Sequence, residues 1–210
     1  MFRVLILALF TALPAMAEGE RAGKFDYYVM ALSWTPNWCA SEGDRKNSDQ
    51  CDDDRGFGFT LHGLWPQFNV GWPSYCKPAQ RAPSRSQTNA MADIMGSGGL
   101  AWHQWKKHGT CSGLSSTDFF ELSRNAYAKI SRPEVFRKME KTYRVPSRLV
   151  KNAFLESNAD LAAENIQVTC KSNAIQEVRI CFTKELEFTR CTFPVRNSCG
   201  QSGQSMAPIR

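Results

Sequence analysis

"FDYYVMALSW" occupies residues 25–34. It is rich in aromatic and branched side chains and reads as a buried strand. A second run of the same kind, "FGFTLHGLW" at 57–65, reads as another strand, which Pro66 should interrupt because proline donates nothing to a ladder. The polar stretch "SEGDRKNSDQCDDDRG" (41–56) is the loop between them. Beyond, a Pro/Ser/Arg loop from Pro73 to Ser86 leads to a short helix ending at Met95, broken by "GSGG" at 96–99. "LAWHQWKKHG" (100–109) has the look of a short helix closed by Gly109. "DFFELSRNAYAKI" (118–130) is an amphipathic helix with Asp118 and Glu121 in capping-box spacing. Pro133 and Pro146 sit where helices begin, which predicts helices near 133–143 and 146–158. Strand character returns in "IQVTC" (166–170), "AIQEVRICFT" (174–183) and "ELEFTRC" (185–191), and the Gly/Ser/Gln-rich tail after Cys199 is expected to be mobile. Strands first, helices in the middle and strands last predict an α+β fold: a mostly antiparallel sheet packed with several helices.

The start of the chain is expected to lie outside that fold. A positive residue at Arg3, an apolar run from Val4 to Leu13 and Ala15–Met16–Ala17 form the pattern of an export signal over residues 1–17. The run is far shorter than the ~20 residues needed to span a bilayer. Residues 18–210 are then expected to form one exported domain, periplasmic or secreted, with no membrane partner. The eight cysteines, Cys39, Cys51, Cys76, Cys111, Cys170, Cys181, Cys191 and Cys199, form no C-x-x-C pair, and an even count in an exported chain implies disulfides.

All three histidines fall in two tryptophan-rich stretches: His62 in "FTLHGLWPQF" (59–68), His103 and His108 in "AWHQWKKHGTC" (101–111). Residues 61–110 carry five basic groups and one acidic group, a balance that suits an anionic ligand such as a phosphodiester. On a helix His103 and Lys107 share one stripe, and Gln104 and His108 the next. Histidine is the side chain whose ordinary pKa lets it serve as acid or base near neutrality. One histidine can deprotonate a nucleophile, another can protonate the leaving oxygen, and a third can steady phosphoryl charge with a lysine. RNA carries its own nucleophile, the 2′-hydroxyl, so neither a metal-bound water nor a cofactor is required, and DNA would be inert.

Other chemistries fit less well. There is no G-x-S-x-G elbow, no P-loop and no G-x-G-x-x-G. On an ideal helix His103 and His108 point about 140° apart, a poor arrangement for joint metal ligation. A disulfide-rich protein-binding module would not need histidines in a cleft.

"FTLHGLWPQ", "WHQWKKHGTC" and "LSWTPNWC" (32–39) closely resemble the active-site segments and first strand of the ribonuclease T2 family. The resemblance implies a secreted endoribonuclease that cleaves single-stranded RNA through a 2′,3′-cyclic phosphate to 3′-phosphate ends, without metal and as a monomer. It implies His62 as general acid, His108 as general base, His103 as phosphate holder, Lys107 as charge stabiliser and Trp65 as base-stacking platform. Gln67 stands where some relatives have an aspartate that hydrogen-bonds the base. Gln104 departs from the family, which has glutamate there. That departure is the one feature favouring an alternative: an RNA-binding or signalling protein on the same fold with impaired catalysis. The family's layout also implies the pairs Cys39–Cys51, Cys76–Cys111, Cys170–Cys199 and Cys181–Cys191.

Overall fold

A computed structural model describes residues 21–78, 80–193, 199–200 and 202–210. The expected export signal, residues 1–17, lies outside the described residues. Six strands form one sheet: β1 (Tyr27–Trp34), β2 (Phe59–Gln67), β3 (Tyr143–Val145), β4 (Ile166–Lys171), β5 (Ala174–Phe182) and β6 (Gln204–Met206). Their order is β2-β1-β5-β6-β3, with β4 also paired to β5. Every pairing is antiparallel except β5 with β6. The fold is α+β, as the order of segments predicts.

The two faces of the sheet do different work. Tyr28, Met30, Leu32 and Trp34 of β1 and Leu61 and Leu64 of β2 point into the main core. There they meet Phe119 and Phe120 of helix Ser116–Ala128 and Val150 and Phe154 of helix Ser147–Ser157. The opposite face carries a small cluster of Tyr27, Val29, Cys181 and Phe193 against Trp65. Strict alternation along β2 would send Phe59, Leu61, Gly63 and Trp65 to one side. The register instead slips between Ala31 and Leu32, which face Gly63 and Leu61, so that His62 has no partner on β1. This extra residue is a β-bulge. It switches the parity, keeping Leu61 and Leu64 in the core while Trp65 joins the outer face.

Several local expectations are corrected. Pro66 does not end β2: it pairs with Tyr28 inside the strand, because β2 is the sheet edge and a missing N–H there costs no ladder bond. Gly109 is not a cap, since helical turns continue to Ser112 and end at Gly113, whose φ of 80° suits glycine. The capping residue of the long helix is Ser115, whose Oγ accepts from Asp118 N at 3.2 Å. The stretch near 133–143 forms only a 3-10 turn over Glu134–Phe136, and β3 begins at Tyr143. Phe136 packs against Trp34 and Phe59, which holds the turn in place, and pairing of β3 with β6 takes Tyr143 into the sheet. Residues 185–191 give one bridge, Phe182 to Phe188, rather than a strand. The end of the chain is anchored, not mobile: Met206 is buried in the core and Trp34 Nε1 donates to Ala207 O at 3.0 Å.

Disulfides join Cys39–Cys51, Cys76–Cys111, Cys170–Cys199 and Cys181–Cys191. Cys76–Cys111 closes a separation of 35 residues, for which chain entropy gives about 3–4 kcal/mol. It ties the loop after β2 to the end of the second histidine segment.

Candidate active site

The bulge in β2 and a widened helical turn together bring the two histidine segments onto one face. Helix Gly98–Gln104 opens under Ser97, whose Oγ accepts from Leu100 N at 3.1 Å. It then loosens into a π-helical turn over Trp105–Gly109. In such a turn residues five apart come into line, whereas an ideal α-helix would set them about 140° apart. His103 and His108 are five apart, so the turn lessens the expected divergence, and the two are near enough for their charges to interact, His103 exposed and His108 buried. Gly109 permits this packing, since a Cβ there would press on Trp105 and Phe119.

Trp65 is the hub. Its ring centroid lies 5.3 Å from that of His62, edge to face, and 5.2 Å from that of His108, stacked at 28°. Its Nε1 donates to Gln104 Oε1 at 2.8 Å. Gly63 is required beneath this bond, because a Cβ would collide with both Gln104 Oε1 and Trp65 Nε1. The guanidinium of Arg179 lies 5.2 Å from the Trp65 ring. Trp65 is thus packed by four polar neighbours, His62, His108, Gln104 and Arg179, and Gln104 Oε1 accepts from the indole.

The histidines differ in setting. His62 is half-buried, and its Nδ1 lies 2.5 Å from Glu177 Oε1. Glu177, on β5, is 1% exposed, and its Oε2 accepts from Arg179 Nε at 2.9 Å and Nη2 at 2.7 Å. Burial pushes the Glu177 carboxyl up, but His62 and Arg179 outweigh it and hold the group at about 2. His108 is 7% exposed. Burial first, then the charges of Lys107, His62 and His103, push it down to about 3. Among the described residues His108 Nδ1 has no hydrogen-bond partner. His103 is exposed, and partial burial with Lys107, Lys106 and His62 lowers it too. His62, His103, His108 and Lys107 are therefore close enough to feel one another's charge.

Gln67 is 6% exposed, and its Nε2 donates to Gly71 O at 2.6 Å, which ties it to the turn after β2. Glu177 and Arg179 were missed by sequence reading. The only signal was an acid and a base two apart in a largely apolar strand, "AIQEVRICF", a spacing that puts both on one face. Among the described residues the one cluster with metal-ligand spacing is Cys39, Asp44 and Cys51, whose cysteines are joined to each other.

Comparison with known proteins bears on the family and the fold. The model of the "Ribonuclease T2 family" matches residues 25–191. A "Ribonuclease" of Aeromonas hydrophila is 45% identical over 129 residues, 61% of this chain and 57% of that protein. A "Probable ribonuclease" of Haemophilus influenzae is 26% identical over 79% of this chain and 61% of its own length. The chain thus spans about three-fifths of these two relatives. The fold is shared with an RNase-related protein from Calystegia sepium (TM-score 0.65, 23% identity, 87% of this chain and 98% of that one). It is shared as well with RNase NT, solved in complex with 5′-AMP (TM-score 0.59, 21% identity, 89% of this chain and 100% of that one). With all the motif-bearing strands and the π-helical turn inside the matched region, the chain belongs to the ribonuclease T2 family.

Proposed function

We propose that the protein is an endoribonuclease acting on single-stranded RNA by transphosphorylation, through a 2′,3′-cyclic phosphate to 3′-phosphate ends, without a metal. The observation that carries this reading is the placement of His62 and His108 around Trp65, one paired to a buried carboxylate and the other buried and unpaired. His108, kept deprotonated by its surroundings, takes the proton of the 2′-hydroxyl, and the resulting alkoxide attacks the adjacent phosphorus. His62, held through Nδ1 by Glu177, gives its proton to the departing 5′-oxygen. Water then opens the cyclic phosphate with the two roles exchanged. His103 and Lys107, the more exposed pair, hold the phosphoryl oxygens as negative charge builds on them.

Trp65 was expected to stack on a base. With His108, Arg179 and Gln104 against it, its role in this reading is to fix the distance between acid and base, leaving only its free edge for the substrate. Gln67 acts through the turn at Gly71 rather than by direct contact with a base. The expected export signal and the four disulfides fit work outside the cytoplasm, in the periplasm or the medium.

A specific observation favours a second reading. Gln104 supplies no charge where the family has glutamate, and His108 Nδ1 has no partner. Impaired catalysis with retained RNA binding would follow. One 28% identical relative, from Panax ginseng, is named "Ribonuclease-like storage protein". Incubating RNA with the protein in excess EDTA, with products identified by mass spectrometry, separates the two. Cyclic and 3′-phosphate ends support the enzyme, provided His62→Ala and His108→Ala each lower kcat by at least ~10². Intact RNA at every pH supports the second reading.

A further inference from the structure

A groove of about 710 Å³ leaves the histidines on the His62 side only. From β2 it crosses the open face of the sheet, past Ser33 on β1, Ile175 on β5 and Ser205 on β6. Two strand spacings across the sheet, from β2 to β5, and three residues along β5, from Glu177 to Ala174 beside Ser205, make this about 14 Å, room for more than one nucleotide. Its far end is formed by Trp38, Lys171 and Thr142.

Chemistry at that end differs from the middle. The middle offers hydroxyls and no cation, a lining suited to ribose and base edges. At the far end Trp38 is half-buried, with Lys46 Nζ 5.9 Å from its ring. Lys171 and Lys46 share a single carboxylate, Glu42, at 2.7 and 2.9 Å. Two ammonium groups against one carboxylate leave a surplus positive charge beside an aromatic face. Exposed pairs of this kind are weak and rearrange readily for a competing anion. A cation next to a stacking platform is the combination by which proteins hold single strands.

Position fixes polarity. In the reading above, His62 gives its proton to the departing 5′-oxygen, so the chain on its side is the one that continues 3′ of the cut. We propose that the far end of the groove, around Trp38 and Lys171, is a binding site for RNA lying two or more nucleotides 3′ of the scissile linkage. This deepens the proposed function and rests on it.

The test uses oligonucleotides with a single ribose at the cleavage position and 2′-fluoro sugars elsewhere, so that only one linkage can be cut. Three are compared: the dinucleotide, the same unit extended by three residues on its 3′ side, and the same unit extended by three on its 5′ side. Expected is a rise in kcat/KM of at least about fivefold on 3′ extension, the lower end of what one stacked base supplies, with no matching rise on 5′ extension. Lys171→Glu and Trp38→Ala should remove the gain while cleaving the dinucleotide at the wild-type rate, which also reports that they fold. An equal gain from both extensions, or a gain that survives Lys171→Glu, overturns the proposal. If the wild type cuts none of the three, the enzyme reading fails instead. Binding of an all-2′-fluoro oligomer, followed by fluorescence anisotropy, then decides the site: affinity unchanged by Lys171→Glu overturns it.

Discussion

At the scale of single residues, the proposed acid and the proposed base stand in opposite electrostatic settings. His62 faces a buried carboxylate, whereas His108 faces cations and has an unpartnered nitrogen. Glu177 is a positioning residue in this view. Glu177→Gln keeps the shape and a hydrogen bond but removes the negative charge that faces His62. kcat should therefore fall by about tenfold or more with KM little changed, Glu177→Asp should restore part of the loss, and a wild-type kcat in folded Glu177→Gln would show that Glu177 serves packing alone. Gln104→Glu acts on the other partner. A carboxylate next to Trp65 and His108 favours the protonated base, so the acidic limb should move to higher pH. Lifted from about 3, His108 also becomes a stronger base, and the neutral-pH rate should rise, by less than the ~10² that a full transition-state interaction is worth. An acidic limb that stays put or moves down would separate residue 104 from the base.

Two irregular elements build the site, and they mark the limit of what the sequence reveals. Strands β1, β2, β4 and β5 were legible because runs such as "FDYYVMALSW" have no other plausible burial. The histidine segments were legible because the chain has no other histidines. The bulge at His62 and the π turn after Gln104 were not, since each depends on one inserted residue whose cost is met by contacts distant in sequence. Glu177 was invisible for the same reason: it acts across a separation of 115 residues. β6 was taken for a mobile tail because its local composition is polar, while what holds it is pairing with β3 and β5. Gly63 tests the bulge directly. In Gly63→Ala the new methyl must displace Gln104 or Trp65, two buried or half-buried groups joined by a hydrogen bond. The expected result is a loss of about 1–3 kcal/mol, typical of overpacking, and a fall in kcat larger than in KM. Wild-type melting and activity would mean that the close approach at Gly63 is not needed.

For the whole molecule, holding a neutral histidine and a charged glutamate inside the fold makes stability depend on pH in one direction. His108 is near 3 when folded and 6.5 when unfolded, and Glu177 near 2 against 4.5. Both groups bind protons less readily in the native state than in the unfolded chain. The unfolded chain therefore takes up protons first as pH falls, and stability drops with it. His108 contributes from about 6.5 down to its folded value, at up to about 1.4 kcal/mol per pH unit; Glu177 adds to the slope below about 4.5. His103, also lowered, acts in the same sense. The four disulfides shift the whole curve upward without changing its slope, because they do not titrate. Denaturant titrations at pH 7, 6, 5 and 4 should give a free energy of unfolding that declines across the series. In His108→Asn the decline between pH 6.5 and 4.5 should largely disappear, leaving the carboxylate part below it. A wild-type curve flat from pH 7 to 5 would mean that His108 is not kept neutral by the fold, and the assignment of His108 as the ready base would lose its support.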